Sequence, residues 1–84
     1  MHIKIVNPNT TRAMTDKIGD CARSVAGPGA LVGAVGPQMG PASIESHYDE
    51  ALSVPGLLEE IARGEEAGVD GYVIACFGDP GLDA

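Results

Sequence analysis

Basic residues are scarce: five Lys and Arg stand against twelve Asp and Glu, a formal charge of −7. A phosphate-backbone partner needs a basic stripe, so this balance argues against nucleic acid, and the same shortage disfavours an anionic membrane surface. Long apolar runs are missing too. The longest is about six residues, against the roughly 20 that cross a bilayer as a helix. The start, Met1-His2-Ile3-Lys4, has neither the basic segment nor the apolar stretch of a secretory signal. Cysteine is limited to Cys21 and Cys76, too few for a disulfide framework, not at metal spacing and without a CxxC pair. Reduced thiols in the cytoplasm are therefore expected, and no metal. There is no internal repeat and no low-complexity segment. Gly27-Pro28-Gly29 is not a dinucleotide fingerprint, because Val32 stands where the third glycine belongs and a helical segment precedes it. No Lys-Ser or Lys-Thr pair follows a glycine loop, which excludes a P-loop.

What is present fits one small globular domain. The chain has 84 residues, 44% hydrophobic and 20% charged, so it is neither disordered nor large enough for more than a thin core. His2 to Val6, with β-branched Ile3, Ile5 and Val6, predicts a buried strand. Asn7-Pro8-Asn9-Thr10-Thr11 predicts a turn in which a threonine hydroxyl caps the next helix. Met14, Ile18, Cys21, Ala22 and Val25 recur at helical spacing between Arg12 and Ala26, which places Cys21 on an apolar stripe facing the core. Gly27-Pro28-Gly29 stops that helix, and Ala30 to Val35 predicts a second strand. After a loop from Gly36 to Ser46, a short helix is expected over Glu45 to Ser53, with Tyr48 as a partly buried anchor. A second, longer helix is expected to start at Ser53 or Val54 with Pro55 in its first turn, and to end at Gly68. Its inner face would be Leu57, Leu58, Ile61 and Ala62, and Glu59 would pair with Arg63 on the outside. Gly71 to Phe77 predicts a third strand.

The order β-α-β-α-β means a parallel α/β unit with right-handed crossovers. Ligands in such folds bind beyond the carboxyl ends of the strands. Asn7 to Thr11, Gly36 to Ser46 and Cys76 to Gly81 follow the three strands and are therefore expected to converge. Cys76 has two open readings: a small hydrophobe at a strand end, or a reactive thiol. If a helix begins after it, free N–H groups and the positive end of the dipole favour thiolate over the usual thiol pKa of about 8.5. Gly78 would let an anion approach the backbone, while Asp79 opposes a thiolate. Asn7 is either a turn former or an amide facing a ligand. His47, in the polar run Glu45-Ser46-His47-Tyr48-Asp49, reads first as a solvated side chain and second as a base.

Three motifs taken in order carry a resemblance: Asn7-Pro8-Asn9-Thr10-Thr11, then Glu45-Ser46 with Tyr48-Asp49-Glu50, then Ala75-Cys76-Phe77-Gly78-Asp79-Pro80-Gly81-Leu82. Together they resemble the N-terminal part of the hydantoin and allantoin racemases, within the aspartate/glutamate racemase superfamily. The resemblance implies a cofactor-independent racemase of two α/β lobes, with a cysteine from each lobe on either side of a hydantoin-type ring, one taking and one giving a proton. Carried over, Cys76 matches the first catalytic cysteine, Phe77 and Gly78 the backbone beside the substrate, Asn7 the polar residue after the first strand, and Ser43 and Ile44 a pocket wall. The second cysteine has no counterpart here, since Cys21 matches neither its motif nor its place. Residues 1–84 are thus expected to be a partial N-terminal lobe of a longer protein, the second lobe being absent. The other readings are an amino-acid racemase, a maleate isomerase, an arylmalonate-type decarboxylase, or an inactive fragment that oligomerises. An open edge on the third strand would favour a homo-oligomer.

Overall fold

The protein is described by a computed structural model covering residues 1–84. Three strands and two helices alternate: β1 (His2–Val6), α1 (Arg12–Val25), β2 (Leu31–Val35), α2 (His47–Glu66) and β3 (Gly71–Ile74). The strands form one parallel sheet in the order β2-β1-β3, with Ile5 opposite Ala34 and Val73, and Lys4 opposite Gly33 and Tyr72. In that order, right-handed crossovers put α1 and α2 on opposite faces. The contacts agree. A Cβ on Gly19 of α1 would lie 3.0 Å from that of Ala34, whereas Lys4 and Tyr72 reach α2 from the other face.

Most expected elements are present, with three corrections. The break at Ser53–Pro55 does not occur: α2 runs unbroken for 20 residues with Pro55 inside it. Ser46 caps it, its side chain accepting from the Asp49 N–H at 3.2 Å, while the Ser53 hydroxyl bonds back to the Glu50 carbonyl. Pro55 is exposed, so water can serve the carbonyl that its missing N–H leaves free. The helix ends as expected at Gly68, whose φ of +80° closes the turn while the Val69 N–H bonds the Gly64 carbonyl at 3.0 Å.

The second correction concerns which faces are buried. α1 packs through Thr15 and Gly19, the small residues that let it approach β2. This rotates the expected stripe outward: Met14 is 49% and Val25 85% exposed, and Cys21 is exposed rather than in the core. In α2 the inner line is Ser53, Gly56, Leu57, Glu60 and Gly64, so Ala62 faces solvent and Tyr48 is 72% exposed rather than an anchor. Glu60 is buried beneath Lys4, whose Nζ donates to the Glu60 carbonyl at 2.6 Å and lies 3.4 Å from Oε1. Arg63 bonds both Glu60 (3.0 Å) and the expected partner Glu59 (2.5 Å).

The third correction is the length of β3. It ends at Ile74, one further ladder bond following from the Ala75 N–H to the Val6 carbonyl. β2 and β3 are both sheet edges. No helix is long and apolar enough to cross a membrane.

Candidate active site

The three loops beyond the strand ends meet as the topology requires. The Thr10 N–H donates to the Pro41 carbonyl at 3.0 Å and the Thr11 hydroxyl to the Ala42 carbonyl at 2.6 Å, tying the first loop to the second. Thr11 therefore makes no side-chain cap on α1. The second and third loops enclose an open hollow of ≈ 580 Å³ that includes Ile44, His47, Glu50, Cys76, Phe77 and Gly78.

Cys76 lies two residues beyond β3. Its N–H bonds the Ile74 carbonyl at 3.0 Å, and its carbonyl accepts from the Asp79 N–H at 3.1 Å. The chain then continues as turns, with Asp79 at φ 46°, rather than as the helix that sequence reasoning placed after the cysteine. Pro80 is buried, and Gly81 lies against Leu57 and Val54, so α2 holds this segment in place. Neither the Phe77 nor the Gly78 N–H has an acceptor within the chain. Two backbone donors thus stand free immediately after the thiol, while the Phe77 ring projects fully into solvent.

The opposite wall is the start of α2. The first N–H groups of a helix have no intrahelical acceptor, and here they belong to His47 and Tyr48. His47 is fully exposed, with its Nδ1 3.3 Å from Oε2 of Glu50. The Glu50 carboxylate stands over the Cα of Gly78, where a Cβ would overlap it. Sequence reasoning missed Glu50 as a site residue. The signal was the three-residue spacing from His47, which puts both side chains on one helix face, but only the tertiary fold sets that face against Gly78.

Of the residues singled out from sequence, Ile44, Cys76, Phe77 and Gly78 line this hollow, and Asn7 and Ser43 do not. Asn7 is 1% exposed, and its amide nitrogen donates to Asn9 Oδ1 at 2.9 Å and to the Thr15 hydroxyl at 3.1 Å. Ser43 is exposed on the second loop. Another hollow, of ≈ 470 Å³, opens at the β2 edge between Thr15, Asp16, Gly36 and Arg63. It holds no thiol, and its Arg63 is engaged by Glu59 and Glu60.

Comparison with known proteins agrees with this fold. Over 84 residues the chain is 62% identical to a hydantoin racemase of Pseudomonas sp. (strain NS671), all of the chain matching 34% of that protein. An allantoin racemase structure from Klebsiella pneumoniae superposes with a TM-score of 0.95 at 57% identity, covering 98% of this chain and 34% of that one. An allantoin racemase from Pseudomonas fluorescens superposes with a TM-score of 0.86 at 29% identity, covering 93% and 33%. The chain thus spans about a third of the length of the curated relatives it matches. The sequence pattern of the Asp/Glu/Hydantoin racemases fits it from residue 3 to residue 84, strands and converging loops included, and the chain belongs to that family.

Proposed function

We propose that this chain is the first part of a cytoplasmic racemase of 5-substituted hydantoins or allantoin, and that Cys76 is one of its two proton-transferring thiols. The observation that carries the reading is the free N–H pair of Phe77 and Gly78 directly after Cys76, in an open hollow. The C5–H of such a ring is acidified by the adjacent carbonyl, so a thiolate suffices as base without a cofactor. The Cys76 thiolate takes the C5 proton. The C5–H bond breaks, an S–H bond forms, and the electron pair moves onto the carbonyl oxygen as an enolate. Backbone donors at Phe77 and Gly78 hold that oxygen where charge develops. A thiol from the remainder of the protein then gives its proton to the opposite face of C5, restoring the carbonyl with inverted configuration. Exchanging the two thiols' roles runs the reaction backwards.

Cys21 is not that second thiol, since it sits on α1 outside the lining of the hollow. Ile44 forms part of the pocket wall in this reading, and Ser43 precedes it on the second loop without lining the hollow. Asn7 lies outside the hollow, and in this reading it acts from behind, its amide nitrogen holding Asn9 and Thr15 in the first loop.

The test is solvent deuterium uptake into one enantiomer of a 5-substituted hydantoin, followed together with optical rotation, using the full-length protein that carries this chain. Racemisation with uptake, both lost on Cys76→Ser, is expected. Neither signal with hydantoins or allantoin would move the substrate class to acidic amino acids or arylmalonates.

A further inference from the structure

The hollow beside Cys76 offers more than donors. Glu50 places a carboxylate over the Cα of Gly78, next to the free Gly78 N–H. The carboxylate is tethered at Oε2 by His47 Nδ1, 3.3 Å away, and its side chain is 30% exposed. An acceptor and a donor therefore stand side by side on one wall. That pair complements a group presenting an N–H and a C=O on the same edge, which is a cis amide. Open-chain secondary amides are trans and point the two groups in opposite directions. A five-membered ring forces them onto one edge. A free carboxylate offers only acceptors and would face the like charge of Glu50.

We propose that Glu50 is a specificity-determining residue that accepts the ring N–H next to the reacting carbonyl, so that the site takes neutral cyclic amides and refuses amino-acid anions. In a hydantoin this pairs the carbonyl beside C5 with the Gly78 N–H and the adjacent N3–H with the Glu50 carboxylate. His47 acts through Glu50 as a positioning residue, fixing the carboxylate's direction. The inference rests on the reading of Cys76 as the thiol that faces C5.

The experiment compares a 5-substituted hydantoin with its N3-methyl analogue in the full-length enzyme. Within one variant, the ratio of the two kcat/KM values is independent of how much enzyme is folded. N3-methylation removes the donor that Glu50 reads, and hydrogen bonds to charged groups correspond to roughly a ten- to hundredfold effect. In the unaltered enzyme the methyl penalty should be of that size. In Glu50→Gln, whose amide oxygen accepts only a neutral hydrogen bond, it should shrink by roughly five- to tenfold. Where Glu50→Gln yields too little folded protein, Glu50→Asp draws the carboxylate back by one methylene and is read by the same ratio. A penalty unchanged by either substitution overturns the proposal. If Cys76→Ser abolishes racemisation while the penalty is unchanged by substituting Glu50, the proposal alone fails. If racemisation survives Cys76→Ser, the site and the proposal fail together.

Discussion

Gly78 is the residue on which the candidate site turns. A methyl group there would overlap the Glu50 carboxylate. Because that carboxylate ends a flexible side chain, it can swing aside at small cost. Gly78→Ala should therefore change stability by no more than about 0.5 kcal/mol, as exposed substitutions usually do. The displaced carboxylate and the altered approach to the Gly78 N–H should nonetheless lower kcat/KM for a hydantoin by roughly ten- to a hundredfold, the scale at which small misplacements act. Thermal unfolding and steady-state racemisation of the same preparation separate the two effects. A large loss of melting temperature with unchanged kcat/KM per folded molecule would contradict this account of the position. Cys76 itself was legible in the sequence as a thiol at a strand end. Cys21 was misread because helical spacing identifies a stripe but not which stripe a helix turns inward, and here the small residues Thr15 and Gly19 take that place.

At the scale of elements, α2 joins what composition separates. Its first turn walls the hollow, its middle holds Pro80 and Gly81 through Leu57 and Val54, and its last turn receives Tyr72. Pro55 interrupts its hydrogen-bond ladder without ending it. A proline is favoured in a first turn behind a cap such as Ser53, which is why the sequence reads as two helices, but it costs about 3 kcal/mol in a helix interior relative to alanine. Tertiary packing outweighs it, since Ser53, Gly56, Leu57 and Glu60 on both sides of the proline are buried on one continuous face. Pro55→Ala should restore the missing bond and stabilise the protein by about 1–3 kcal/mol, less the unfolded-state stiffness that proline supplies. Denaturant unfolding measures this. A loss of stability would mean that α2 depends on the shape the proline imposes.

At the scale of the whole 84-residue chain, the hydrophobic core is small. Buried hydrophobic residues are confined to Ile5, Val6, Leu57 and Val69, whereas Val25, Val73, Phe77 and Leu82 are among those left exposed. Polar contacts between sheet and helix consequently matter to the fold. Tyr72 crosses from β3 to donate its hydroxyl to the Ile61 carbonyl at 3.1 Å and to Glu65 at 2.7 Å. Desolvation against α2, then the hydrogen bond and the charge of Glu65, push its phenol up to about 12. The folded state thus holds the proton more tightly than the unfolded chain, whose tyrosines ionise near about 10. The associated stability is complete below about pH 10 and is lost as pH rises towards about 12. Unfolding midpoints measured on either side of pH 10 should fall with rising pH, and Tyr72→Phe should flatten that fall. An equally steep fall in the variant would assign it to other groups.

The sequence by itself determined the parallel β-α-β-α-β order, the strand cores, the meeting of three loops at one sheet edge, and the cysteine among them. Periodicity, turn chemistry and crossover handedness are local or topological rules, and they carry that far. Which face of each helix turns inward, whether Pro55 divides a helix, and what lies opposite Cys76 were decided only by tertiary structure. Those outcomes depend on close approach between segments far apart in the chain: Gly19 on Ala34, Glu60 beneath Lys4, and Glu50 over Gly78. Their energies come from shape and charge complementarity across space, which spacing along a sequence does not encode.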